Sequence, residues 1–199
     1  MNRLSIFIFF YIMLCLVGSQ VAFIPQVSLG MFGAYLAGVI LSPMVGAFVA
    51  MVGALGIGYW QGFPLSVAGH WIVAISVATA AYYFALMYRE KDAPVWKRYG
   101  ISLLMGYICQ VLMSVFLLWC FIGEQVLVLW LPWSISAALS MVIAMAIDYG
   151  WPDSLRHYLG APVPIKKPSG KYRARKRRAR ANALSQTHKD NQEQDNSLD

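Results

Sequence analysis

The chain has 199 residues, 59% of them hydrophobic and only 13% charged, with a formal net charge of +7. Soluble domains of this length carry about twice that charged fraction, and between Leu4 and Tyr88 there is no Asp, Glu, Lys or Arg. A bilayer core about 30 Å thick takes roughly 20 apolar residues per helix, so this run exceeds a single span and excludes a soluble globular protein.

The first apolar segment is Leu4–Phe23, ended by Ile24-Pro25. Arg3 followed by Leu4–Leu16 has the form of a secretory leader. The apolar run continues to Phe23 with no convincing small-residue cleavage site before Pro25, so the segment is read as a membrane helix. The second segment, Val27–Leu41, stops at Ser42-Pro43, and the third is Met44–Tyr59. An unbroken helix over 27–59 would be about 50 Å long, and proline disfavours helix at the residue before it; the run is therefore divided at Ser42. The fourth segment is Ser66–Tyr88, the fifth Ile101–Ile122 and the sixth Val126–Ile147, with a break expected at Pro132.

Six crossings put Arg3, the charged loop at 89–98 and the basic tail on one side, and the Lys- and Arg-free loops at 24–26, 60–65 and 123–125 on the other. That agrees with the positive-inside rule; five crossings would move Arg3 outside. The expected fold is an all-α integral membrane protein: a six-helix membrane domain over 1–158 and a polybasic, disordered tail over 159–199. Both termini are expected in the cytoplasm, with the chain in a bacterial inner membrane. Lys166–Arg180 holds nine Lys or Arg and no acid, which suits an orientation anchor on anionic lipid; no nucleic-acid partner is expected.

Small residues recur four apart at Gly46, Ala50, Ala54 and Gly58, and at Gly30, Ala34 and Gly38. Positions four apart share a helix face, and a small-residue face lets another backbone approach closely. Gly18 and Ala22 form a similar pair, open to an internal contact or to a partner subunit. Cys15, Cys109 and Cys120 have no C-x-x-C spacing and read as buried packing residues.

Polar groups gather at the side opposite the basic loops: Gln20, Gln26, Gln61, His70, Glu124, Gln125 and Ser134, with Trp60, Trp71, Trp130 and Trp133. Such residues suit an outward-facing cavity, although tryptophan also anchors helices at membrane interfaces. His70 has two readings, contact with a ligand or a bond to a backbone carbonyl. Asp148 is placed at the interface on the basic side. No G-x-S-x-G, H-E-x-x-H or P-loop occurs, and His70, His157 and His188 form no metal triad, so neither enzyme chemistry nor a cofactor or metal is indicated.

The run Ile24-Pro25-Gln26-Val27-Ser28-Leu29-Gly30, followed by Leu36-Ala37-Gly38-Val39-Ile40-Leu41-Ser42-Pro43-Met44-Val45-Gly46-Ala47, resembles the biotin-transporter S components (BioY). These belong to the energy-coupling-factor importers and carry a P-x-P-[IV]-[ST]-L stretch, a Leu-Ala-Gly-rich helix and a G-P-x-x-G-A turn. The resemblance covers residues 5–158 in order and spacing. It departs at Ser66-Val67-Ala68-Gly69-His70-Trp71, where the family has G-P-T-G-G-Y, and at Pro132-Trp133-Ser134-Ile135-Ser136-Ala137, where it has P-G-D-L-[LI]-K. Ser134 and Ala137 stand where the family has its ligand-facing Asp and Lys, so a carboxylate ligand would lose its cationic partner.

The resemblance implies a six-helix subunit that binds biotin or another small vitamin from the outer side, here through Gln61, His70, Trp71, Trp133 and Ser134. It further implies docking through Gly18 and Ala22 onto a transmembrane coupling subunit driven by two ATPases, and toppling to release ligand inside. A structural membrane protein of the MreD type has similar size and plan and is the alternative; there the small-residue stripes would bind partner helices.

Overall fold

The computed structural model describes residues 3–24, 27–90 and 94–150; the tail over 159–199 and Gln26 lie outside them. Helix α1 (Arg3–Gln20) leads into a two-stranded antiparallel hairpin, β1 (Ala22–Ile24) and β2 (Val27–Ser28). Helices α2 (Phe32–Ile40), α3 (Pro43–Trp60) and α4 (Ser66–Tyr88) follow. Helix α5 (Val95–Tyr107) continues through a π-helical turn, Ile108–Leu112, into α6 (Met113–Ile122). A 3-10 turn, Glu124–Val126, then opens α7 (Leu127–Gly150).

Five helical stretches among the described residues are long and apolar enough to cross a membrane: Arg3–Gln20, Pro43–Trp60, Ser66–Tyr88, Trp96–Ile122 and Glu124–Gly150. The shortest have 18 residues, about 27 Å at 1.5 Å per residue. Their outward faces stay apolar, with Phe9, Phe10, Val17, Phe116, Phe121, Val128 and Leu131 all exposed. In water such a surface would associate; in lipid it faces its natural solvent.

Helix α2 differs. It has nine residues, about 13 Å, and every residue from Gly33 to Ile40 is buried. It packs against α1, α3, α4 and α7 at the centre of the molecule. An all-round apolar sequence suits a helix with no solvent or lipid face. Small residues bring its neighbours close: a Cβ on Gly46 would stand 2.5 Å from the Gly38 Cα, and one on Gly38 would stand 2.9 Å from the Ala85 Cβ. The stripe Gly46, Ala50, Ala54 and Gly58 is buried inside the chain.

The turns follow from local chemistry. Ser42 caps α3, its Oγ accepting from the Val45 N–H at 3.2 Å, with Pro43 in the first turn; a proline there gives up an N–H that has no helical partner anyway. At the other end, Phe63 N–H donates to Gly58 O at 2.8 Å and Gly62 N–H to Tyr59 O at 3.2 Å, with Gly62 at φ 74°. This paired closure satisfies the last carbonyls and needs a left-handed residue at its corner, the place glycine fills without strain.

Four expected boundaries are corrected. Segment five is helical from Val95 rather than Ile101 and so takes in Lys97 and Arg98 of the expected loop. Segment one ends at Gln20 rather than Phe23. The Gly18 carbonyl accepts from Val21 N–H at 3.2 Å and Leu29 N–H at 3.1 Å, and Ala22 turns instead into strand pairing opposite Ser28. Segment two is helical only from Phe32, because the chain before it makes the hairpin and a turn closed by Phe32 N–H to Leu29 O at 3.1 Å. Segment six is not broken at Pro132, which lies inside α7. It falls in the second turn, where one lost backbone bond leaves the helix intact, as membrane helices tolerate.

Contacts order the ends. The Arg89 Nη1 donates to Leu41 O at 3.0 Å, and the Tyr88 hydroxyl donates to Asp148 Oδ2 at 2.8 Å. The Arg98 guanidinium lies 5.2 Å from the Tyr88 ring centre. The C-terminal ends of α2, α4 and α7 and the start of α5 therefore meet at the charged-loop side. Asp148 is there as expected, and it is buried within the protein. Cys120 is exposed, while Cys15 and Cys109 are buried.

Candidate functional site

A cavity of about 510 Å³ opens among the elements at the opposite end, within the size range of small-molecule sites. Each wall follows a helical repeat. Helix α3 supplies Ala54 and Ile57, and its C-cap Gln61; α4 supplies His70, Val73 and Val77; α7 supplies Leu129, Trp133 and Ser136. These spacings of three, four and seven hold one face of each helix toward one space. Ser19 comes from the end of α1, and Ser28, Gly30 and Met31 from the chain leading into α2.

That chain is non-helical backbone at the depth of the helices, a conformation tolerated in a membrane only where it is buried or lines a cavity. Its polar groups are met from two sides: Leu29 N–H donates to the Gly18 carbonyl at 3.1 Å, and the Ser136 hydroxyl donates to Ser28 O.

The fourth wall is the π-helical turn and the start of α6, which supply Gln110 and Ser114. Such turns are rare and often sit at functional sites. The Tyr35 hydroxyl, buried on α2, donates to Gln110 Oε1. The Ser114 Oγ is buried and, like those of Ser76 and Ser140, has no hydrogen-bond partner among the described residues; of the three, only Ser114 is in the lining.

His70 is buried, its Nδ1 2.9 Å from the Ser66 carbonyl. The ring packs so tightly on α3 that a Cβ on Gly58 would stand 2.4 Å from its Cδ2. Phe63 closes it edge-on, with ring centres 5.2 Å apart. Of its two readings His70 shows the bond to a backbone carbonyl, and the residue also lines the cavity.

Of the five residues expected at a ligand, the structure brings Gln61, His70 and Trp133 together in the lining and leaves Trp71 and Ser134 out. Trp71 is adjacent to His70 on α4, about 100° round the helix, and is 49% exposed on the outer surface. Ser134 stands one position beyond Trp133; its hydroxyl bonds Trp130 O at 2.7 Å and the Tyr107 hydroxyl at 3.1 Å. Gly18 is buried in the chain itself, where a Cβ would stand 2.6 Å from Leu29 O. Ala22 lies in β1 rather than one turn further along α1, so the two share no helix face.

Sequence reasoning passed over Gln110, Ser114, Ser136, Ser28 and Ser19. Gln110 carried a usable signal, because a carboxamide in mid-span is costly without a partner. Serine carries less, since its hydroxyl can return to its own helix, as Ser19 does to Leu16 O at 2.7 Å.

Among the described residues no group of His, Cys, Asp and Glu is placed to hold a metal ion. No family model, curated protein or solved structure matches the chain. The architecture is that of a multi-pass helical membrane protein. Its distinguishing feature is a hydrogen-bonding chamber at the end away from the charged loop.

Proposed function

We propose that this chain is the solute-binding subunit of a vitamin importer of the energy-coupling-factor type, taking biotin or another small vitamin into the chamber from the outer side. The observation that carries the reading is the chamber itself: a cavity of about 510 Å³ whose lining includes the unpartnered hydroxyl of Ser114 and the indole of Trp133. An aromatic wall with a few convergent polar groups is how small-molecule sites are built.

The topology supports it. Val27–Leu41 runs from the Gly18 end of α1 to the Arg89 end of α4; counted as a pass beside the five long apolar helices, it would bring the crossings to six. With six passes both termini fall on the basic side, the cytoplasmic one by the positive-inside rule, and the chamber falls outside. Its partners would be a transmembrane coupling subunit and ATPases, with the basic tail on anionic lipid; the close contact at Gly18 is accounted for within the chain.

The test is thermal stability of the purified protein in detergent against a panel of vitamins that includes biotin. A compound present at 100 times its dissociation constant should stabilise by about 2.7 kcal/mol. A shift with one compound supports the reading; no shift with any turns it toward a scaffold role of the MreD type.

A further inference from the structure

Among the described residues, the chamber's polar lining is made of Ser, Gln, Trp and His side chains. Ser19, Ser28, Ser114 and Ser136 offer hydroxyls, Gln61 and Gln110 carboxamides, Trp133 an indole N–H and His70 an imidazole. No Lys, Arg, Asp or Glu is among the lining residues described. Of the described cations, Arg89 is held on Leu41 O and Arg98 lies over Tyr88 and Tyr99 at the far end, and Arg3 and Lys97 are exposed and outside the lining. On α7, the position one residue past Ser136 is Ala137, fully buried against the core.

An ion entering such a space sheds its water and finds no opposite charge, and that cost outweighs what neutral hydroxyls return. An uncharged amide or alcohol loses less and regains it from the same groups. Four of the eight polar groups are already engaged inside the protein, Ser19 on Leu16 O and the Gln110 carbonyl by the Tyr35 hydroxyl among them. Ser136 is held on Ser28 O, and His70 Nδ1 on Ser66 O. Ser114 is different: 1% exposed, at the lining, and without a partner.

Building on the solute-binding reading, we infer that the chamber selects an electroneutral solute, an amide or alcohol rather than a carboxylic acid, and that Ser114 is a hydrogen-bonding contact for it. Selection acts through desolvation, so it discriminates between two forms of one skeleton that differ only in charge.

The experiment is thermal stabilisation and binding titration of the full chain in detergent at pH 8, above the range where an imidazole ordinarily titrates. The probes are matched pairs: biotin and biotinamide, pantothenate and pantothenol, nicotinate and nicotinamide. The expected result is that the neutral member of one pair binds at least about tenfold tighter than its acid, which corresponds to about 1.4 kcal/mol. Ser114→Ala then weakens that neutral ligand about three- to tenfold. Ser140→Ala, which removes a buried unpartnered hydroxyl outside the lining, leaves it unchanged.

An acid that binds as well as its neutral partner overturns the inference and leaves the solute-binding reading standing. Equal binding by Ser114→Ala and the parent chain removes the assignment of Ser114. No stabilisation by any of the six compounds counts against the solute-binding reading, and the inference falls with it.

Discussion

Replacing Gly46 by alanine probes the contact on which the centre of the molecule is built. The added Cβ would stand 2.5 Å from the Gly38 Cα, 2.8 Å from the Gly38 nitrogen and 3.1 Å from the Ala34 carbonyl oxygen. Carbon atoms pack at about 3.5–4.0 Å, and all three neighbours are backbone, so no side chain can swing aside. Helices α2 and α3 must part by about 1 Å. Overpacking of this kind costs roughly 3 kcal/mol at the upper end of its usual range, offset by about 1 kcal/mol because alanine favours helix over glycine. The net loss of about 2 kcal/mol lowers the melting temperature by roughly 4–8 °C for a chain of this size. Gly100→Ala is the control: Gly100 is exposed on α5 and an added Cβ meets nothing within 4 Å, so helix preference alone should raise the melting temperature by about 2–4 °C. Melting of both variants in detergent, followed by tryptophan fluorescence, decides the matter. Gly46→Ala melting at or above the parent chain, while Gly100→Ala rises, would falsify the close packing of α2 on α3.

Three further outcomes are expected. Gly58→Ala forces the His70 ring off its seat, so adding His70→Ala should recover part of the loss, with a coupling of about 1 kcal/mol in a double-mutant melting cycle; strict additivity would dismiss the contact. Tyr88→Phe removes the hydroxyl bonded to Asp148 and should cost about 1–3 kcal/mol, read as a lower melting temperature, with no change meaning that the bond is not formed. Trp133→Ala should weaken binding of a stabilising solute tenfold or more by stripping an aromatic wall, whereas Trp71→Ala, on the outer surface, leaves it unaltered; equal effects from the two would undo the assignment of the lining.

How far the sequence reaches depends on what kind of signal each element uses. Apolar length alone marks the long helices, and Ser42-Pro43 marks a boundary because proline and a capping hydroxyl act locally. The small-residue stripe on α3 announces close packing, and the structure supplies two partners, Gly38 of α2 against Gly46 and His70 of α4 against Gly58. The hairpin at Ala22–Ser28 was hidden because its residues are as apolar as a helix end, and what stops α1 is the loss of the Gly18 carbonyl to Leu29, a distant partner. The π-helical turn leaves no compositional mark, and it alone sets which residues of α5 and α6 face inward. At the site, the crowding of polar residues at one end was legible. Which neighbours on a helix turn inward was not: His70 and Trp71, or Trp133 and Ser134, differ only in rotation about an axis fixed by packing elsewhere.

Helix α2 has a consequence for how the chain comes to be built. A helix buried on every side has no settled place in lipid until its neighbours stand around it, and one of those neighbours is α7, the last described helix to leave the ribosome. The Ser28 carbonyl waits for a hydroxyl more than a hundred positions later, that of Ser136. The chamber shares this delay, since Ser19 at one end of the described chain and Ser136 near the other wall the same space. Until α7 is in place, the early helices are a scaffold held open around an unfilled centre. The chamber is therefore enclosed only when α7, which carries Leu129, Trp133 and Ser136, joins the walls built before it.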